Sequence, residues 1–159
     1  MARPVVIVTE HQNPRQVRLG IDAALAAGAI DEVRWYAENS RLLETAYLSS
    51  ADARGQSGLN GDAANWERRR KVNAEAIDRD GSFLDIGCAN GSLMETIVVW
   101  ATERGHDLEA YGLDISPKLA ALARTRLPAW TDRIFVGNAI ALTPPPASTS
   151  SAPNWSTSR

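Results

Sequence analysis

Between residues 82 and 139, short apolar runs alternate with segments of helical period. Ser82-Phe83-Leu84-Asp85-Ile86 reads as a strand, and a turn flanked by Gly87 and Gly91 follows it. Residues 92–104 then place Leu93, Met94, Ile97, Val98 and Ala101 on one helical face, and Gly105 stops the run. Ala110-Tyr111-Gly112-Leu113 is a second strand, ending at Asp114. Ser116 is a helix cap with Pro117 at the first helical position, and Leu119, Leu122 and Ala123 point inward. Arg133-Ile134-Phe135-Val136 is a third strand, ending at Gly137-Asn138. A β-α-β-α-β order requires parallel strands, right-handed crossovers and helices packed on the sheet. The expected class is therefore α/β.

The flanks read differently. Val5-Val6-Ile7-Val8 suggests a short strand or extended arm. Asn13 caps a helix with Pro14 at its first position and Gln16 at its third; Val17, Ile21, Ala24 and Leu25 share a face, and Gly28 ends it. A second helix starts after Asp31, with Val33, Tyr36, Leu43 and Tyr47 as an inward stripe. Residues 49–62 are loop-like, with Gly55, Gly58 and Gly61. A helix is expected over 62–79, with Trp66 and Ile77 inward and Arg68-Arg69-Arg70-Lys71 forming a solvated face. From residue 141 the last 19 residues hold four Pro, five Ser and three Thr, a composition expected to make no regular structure. The domains so read are 1–61, 62–139 and 140–159.

Charge and cysteine content exclude several functions. Seventeen basic and nineteen acidic residues give a net charge of −2, so no global field draws the chain to nucleic acid or an anionic membrane. One cysteine, Cys88, rules out an intrachain disulfide, and two histidines make a zinc site implausible, so no metal is expected. No apolar run approaches the ~20 residues of a membrane span, and the N-terminal apolar run of four is shorter than a secretory core of about 7–15. The expected location is the cytoplasm.

The turn after the first strand, Leu84-Asp85-Ile86-Gly87-Cys88-Ala89-Asn90-Gly91, is the main chemical signal. In parallel α/β sheets ligands bind at the carboxyl ends of strands, where glycines permit close approach and a helix N-terminus favours negative charge. Three ligands compete. A phosphate loop needs a lysine after its last glycine, and none follows Gly91. A dinucleotide fingerprint aligned on Gly87 finds Ala89 and Ser92 at its other two glycine positions, and Asp85 would repel a pyrophosphate. S-adenosylmethionine carries an ammonium, a sulfonium and a carboxylate, which a carboxylate together with backbone N–H groups complements. Cys88 has no base near it in the motif and reads as a small turn residue, not a nucleophile.

Over residues 62–139 the chain resembles the class I, Rossmann-like S-adenosylmethionine-dependent methyltransferases. Asp85-Ile86-Gly87-Cys88-Ala89-Asn90-Gly91 matches their first motif, acidic-x-Gly-x-Gly/Ala-x-Gly. Asp114 falls 23 residues after Gly91, where the family's acidic residue binds both ribose hydroxyls. Gly137-Asn138-Ala139 is similar to the third motif, with Asn138 standing where an acidic residue often touches adenine. The resemblance implies a Rossmann-like parallel sheet and S-adenosylmethionine held by Asp85, Gly87, Cys88, Ala89, Gly91, Asp114, Ile115, Asn138 and Ala139. It also implies methyl transfer to an unidentified acceptor, a small molecule rather than nucleic acid. The family's sheet runs 3-2-1-4-5-7-6, and this chain supplies its strands 1 to 3. The expectation is a truncated or frame-shifted methyltransferase that lacks the acceptor half, has no assignable catalytic residue and does not turn over alone. The first strand would then be a sheet edge prone to self-association. Two alternatives stay open, an NAD-binding enzyme and a non-catalytic cofactor-binding or interaction module.

Overall fold

The computed structural model describes residues 13–58, 62–143 and 156–157. The expected arm at 5–8 lies outside them. The chain divides into two compact units, the first ending at Ala46 and the second beginning at Tyr47.

In the first unit, α1 spans Pro14–Ala26 and α2 spans Glu32–Leu48, running into the second unit at its last turn. Asn13 caps α1 by accepting the N–H of Arg15 at 3.0 Å, and Pro14 loses no helical bond at the first position. Val17 and Ile21 are buried as their spacing predicts. The indole N–H of Trp35 donates to Asp22 at 2.8 Å, linking the two helices. The stripe expected on α2 holds only in part: Tyr36 and Tyr47 are half-buried, but Val33 is 79% exposed and Leu43 is 43% exposed, whereas Glu44 is buried. An apolar period marks a face able to pack; it does not guarantee a surface to pack against.

The second unit carries α3 (Ala63–Glu75), β1 (Gly81–Ile86), α4 (Ser92–Glu103), β2 (Leu108–Asp114), α5 (Pro117–Arg126) and β3 (Ile134–Val136). Asp62 caps α3 through the N–H of Asn65, and Ser116 caps α5 through that of Leu119. The first of these helices ends at Glu75, four residues short of the expected limit, and Ile77 lies half-buried beyond it. Trp66 of α3 packs on Trp100 of α4, ring centroids 6.2 Å apart, with Ala74 and Leu93 around them. Within the expected solvated face, Arg68, Arg69 and Lys71 are exposed, but Arg70 is half-buried with its Nε sealed from solvent.

The three strands form one parallel sheet in the order β1-β2-β3, a Rossmann-like α/β arrangement. Registers Phe83–Ala110, Asp85–Gly112 and Gly112–Ile134 put these residues on one face. There Phe83, Ala110 and Ile134 meet Met94, Ala120, Ala123 and Leu127 from the helical layer. Small residues at Ala110, Gly112, Ala120 and Ala123 let helix and sheet approach closely. Arg124 of α5 donates through Nε and a terminal nitrogen to the carbonyl of Ile134, fastening helix to strand. Among the described residues β1 has a partner on one side only. Ile86 at this edge is 63% exposed.

The tail departs from expectation. A 3₁₀ turn covers Ala139–Ala141, and β4 (Leu142–Thr143) pairs antiparallel with β5 (Ser156–Thr157). A two-residue ladder uses only backbone groups, so it needs neither apolar period nor side-chain core. No helix among the described residues is long and apolar enough to cross a membrane.

Gly112 tests the packing. A Cβ there would sit 2.9 Å from Cys88 Sγ, 3.2 Å from Cys88 Cβ and 3.3 Å from Met94 Sδ. Gly112→Ala is expected to destabilise the chain by about 1–3 kcal/mol through overpacking, read from the midpoint shift in urea unfolding.

Candidate functional site at the strand ends

The turn after β1 has a tightly determined shape. Gly87, Ala89 and Gly91 have φ of +80°, +47° and +74°. Gly91 is required twice over, by that conformation and because a Cβ would lie 2.6 Å from Leu127 Cδ1. Ala89 is the only non-glycine with positive φ among the described residues. Its N–H donates to Asp114 Oδ2 at 2.8 Å in a buried bond, which holds the strained residue in place.

Asp114, at the end of β2, does more than hold this turn. Its Oδ1 accepts the N–H of Ser116 at 2.8 Å, and its carbonyl accepts the N–H of Gly137 at 2.9 Å. The residues expected at the three strand ends therefore converge on it. Ile115 is half-buried beside it; Asn138 and Ala139 are half-buried past β3. Asn138 accepts the N–H of Ile140 at its own side-chain oxygen, a local turn that occupies part of the acceptor capacity expected for adenine.

Most of the turn's donors are spent within the protein. Gly87 and Cys88 both donate to the Leu113 carbonyl, at 2.7 and 3.1 Å, and Gly91 donates to that of Cys88 at 2.7 Å. Ser92 at the start of α4 donates to Asn90 Oδ1 at 3.1 Å. These N–H groups, with that of Ala89, are therefore turned into the protein. Cys88 is buried against Gly112 and Met94, so it offers backbone alone. Burial, aided by the charges of Asp114 and Asp85, pushes its thiol up to about 12, which leaves it protonated and inert.

Asp85 is the opposite case. It lies on the same face as Gly112 and, by alternation, as Asp114 on the adjacent strand. Its Oδ2 is buried and has no hydrogen-bond partner. Burial pushes its carboxyl up to about 6, with the Arg70 guanidinium opposing and the Asp114 charge adding to the rise. Asp85, Arg70 and Asn73 contribute polar groups to a cavity of about 370 Å³ between α3, β1 and α4. Of the nine expected site residues, only Asp85 reaches this cavity; the others gather around the turn and the strand ends.

Two residues went unnoticed in the sequence. Asn90, fully buried, donates to the Ala53 carbonyl at 2.8 Å and binds the turn to the loop before α3. Arg126 donates to the Asn90 carbonyl at 2.8 Å and pairs with Glu95 at 2.6 Å. Asn90 stood inside the recognised motif at a position where any residue is allowed, and Arg126 carries no local signal.

Fold and site together define a Rossmann-like α/β chain with a glycine turn at the carboxyl end of its first strand. No family model and no curated protein matches it. Among solved structures it is similar to YjhP from E. coli, a structural genomics target, at 17% identity and a TM-score of 0.35. The likeness covers 62% of this chain and 37% of that one, so the chain spans little more than a third of YjhP.

The raised Asp85 carboxyl gives a pH test. Its folded value of about 6 lies above the ordinary 3.8, so the folded state holds this proton more tightly than the unfolded state. That contribution is fully present below about pH 4 and is lost as pH rises through about 6. Asp85→Asn abolishes the loss. Its stability relative to wild type is expected to rise between pH 4 and 7 by about 3 kcal/mol at most, at 1.36 kcal/mol per pKa unit. Parallel urea-unfolding curves for the two proteins across that range check it.

Proposed function

We propose that this chain binds S-adenosylmethionine at the carboxyl ends of β1, β2 and β3 and serves a methyltransferase whose acceptor is a small molecule. The observation that carries the reading is the polarity of the turn. Most of its N–H groups are committed inward, while beside it stands Asp85, a carboxyl with a buried, unbonded oxygen. A pyrophosphate needs donors; a cationic ligand end needs an acceptor. This favours the amino-acid end of S-adenosylmethionine over NAD.

The residues fit such a ligand in two further respects. A Cβ built on Gly87 meets no atom within 4 Å, so the turn leaves room for close approach. Asp114 fixes the turn through Ala89 and the start of α5 through Ser116, which orients the strand ends before anything binds. The ribose contact implied for Asp114 and the adenine contact implied for Asn138 belong to the same proposal. When bound, the cofactor supplies a methyl group on a sulfonium, open to in-line displacement by an acceptor atom. The chain's share is to hold and orient.

Calorimetric titration with S-adenosylmethionine, S-adenosylhomocysteine and NAD tests the reading. The first two are expected to bind and NAD is not. Gly87→Val, which blocks the approach, is expected to weaken them by about tenfold or more, ~1.4 kcal/mol. Binding of NAD alone would sink the proposal.

The unpaired side of β1 belongs to the same proposal, as a self-association surface. Sedimentation velocity should show association that grows with concentration. Ile86→Lys should suppress it while changing monomer stability by no more than about 0.5 kcal/mol, since the side chain is exposed. A wild-type chain that stays monomeric at every concentration contradicts this.

A further inference from the structure

The loop over residues 50–58 is fastened by polar bonds. Its only apolar side chains are those of Ala51 and Ala53, too small to anchor it in a core. Asp52 Oδ1 accepts the N–H groups of Arg54 and Gly55 at 3.0 and 2.9 Å, and Gln56 Nε2 donates to the Ser50 carbonyl at 3.0 Å, so the loop is a compact unit. Tyr47 stands at its far end, its hydroxyl filling the space that a Cβ on Gly58 would take. Two side chains tie the unit outward. Asn90 Nδ2 donates to the Ala53 carbonyl at 2.8 Å and reaches Gln56 Oε1 at 3.4 Å, and the Trp66 indole N–H donates to Ser57 Oγ at 3.2 Å. Asn90 is fully buried and is also bonded at its other end: Oδ1 accepts the Ser92 N–H at 3.1 Å, where α4 begins. Lifting the loop would leave both Nδ2 hydrogens without an acceptor in a buried place, and an unmet buried donor costs more than a bond returns. The amide escapes that cost by turning into the space the loop vacates, which releases Ser92. Loop and helix start therefore cannot move independently.

We propose that Asn90 is a latch: closure of loop 50–58 and the bonded start of α4 at the end of the glycine turn are one coupled equilibrium. The strength of the ties suits a part that opens. A neutral hydrogen bond is worth a net factor of roughly 2 to 12 in an equilibrium, so a few of them hold the loop without fixing it. Arg126 is the side of the latch that does not let go. It donates to the Asn90 carbonyl at 2.8 Å and pairs with Glu95 in the first turn of α4 at 2.6 Å, so α4 and α5 stay joined while the amide turns. Coupling is reciprocal. A ligand that binds the ordered turn draws the loop down, and a closed loop raises the affinity for that ligand by the same factor. Asn90 is then a positioning residue, acting on the turn from its buried side. The ligand half of this proposal rests on the proposed function; the coupling of loop and helix start does not.

The test uses the full chain labelled with ¹⁵N and measures solvent exchange at two protons. The Trp66 indole N–H reports the loop, through Ser57, and the Ser92 amide reports the start of α4. Gln56→Ala touches Asn90 from the loop side alone, and it is expected to speed both protons by a similar factor, roughly 2 to 12. Asn90→Asp keeps an acceptor for Ser92 but sets a carboxylate without donors against the Ala53 carbonyl and Gln56 Oε1. It is expected to speed the indole by about tenfold or more, and adding Gln56→Ala to it should no longer change Ser92. Amides of Tyr111 and Leu113 in β2 should keep their rates in every variant, and circular dichroism establishes folding. Gln56→Ala, on a half-buried loop, carries the test alone if Asn90→Asp does not fold. S-adenosylmethionine should slow the indole and the Ser92 amide together. An unchanged rate at either proton in Gln56→Ala, or an unchanged indole rate in folded Asn90→Asp, overturns the proposal. Calorimetric binding of S-adenosylmethionine that leaves both rates unchanged overturns it too. Coupled exchange with no binding of S-adenosylmethionine upholds the latch and removes the proposed function.

Discussion

Asp114 ties together the ends of all three parallel strands. One carboxylate oxygen takes the N–H of Ala89 after β1, the other takes that of Ser116 after β2, and its carbonyl takes that of Gly137 after β3. The side chain is buried, so these charge-assisted bonds face little competition from water. Remove the carboxylate and two buried amide hydrogens lose their acceptor, at about 1–3 kcal/mol each. Ala89 would also lose the bond that keeps a residue with a Cβ in a left-handed conformation, itself a cost of about 1–2 kcal/mol. The shape of the turn, the start of α5 and the exit of β3 thus depend on one acidic residue at a strand end.

That dependence shapes the chemistry of the site. A turn whose donors are closed on Leu113, Cys88 and Asp114 is rigid but poor in hydrogen atoms to offer an anion. Asp85 and Asp114 sit on adjacent strands and the same face, and each charge disfavours the other. They resolve the conflict differently. Asp114 is anchored by two backbone N–H groups, whereas Asp85 has none and its proton is held to higher pH. The strand ends therefore combine a fixed structural carboxylate with one whose charge a cationic partner would restore.

Much of this was legible in the sequence because it is locally encoded. The caps read at Asn13 and Ser116 each place a side-chain oxygen against an N–H group in the first turn, and both form. The three strands, the two crossover helices and the parallel order follow from alternation of apolar period and glycine turns. What failed depended on non-local partners. The α2 stripe was read as core, but Val33 and Leu43 are exposed, because periodicity describes one surface and packing needs two. Trp100 lies off the predicted face of α4 and is buried on Trp66, an arrangement visible only once α3 is placed beside it. The β4–β5 ladder rests on backbone pairing and left no mark in composition. At the site, the motif located Asp85, Gly87 and Gly91, but it could not show that Asp114 is bonded through both oxygens while a buried oxygen of Asp85 has no partner.

Arg70 and Asp85 share a further property. Each breaks the rule of its own element. Arg70 turns inward from a helix face that is otherwise charged and exposed, and Asp85 stands in an apolar strand between Leu84 and Ile86. An inward arginine or a strand aspartate would each be an ordinary irregularity alone. An apolar pair of similar size at both positions would pack without desolvation cost and would often be more stable than a buried charge pair. Both irregularities open on the same cavity, and neither is relieved by closing into a direct ion pair. The stability lost at Asp85 as pH rises from about 4 through about 6 is the cost of a buried carboxylate with an unbonded oxygen, set against the stability that Asp114 supplies one strand away.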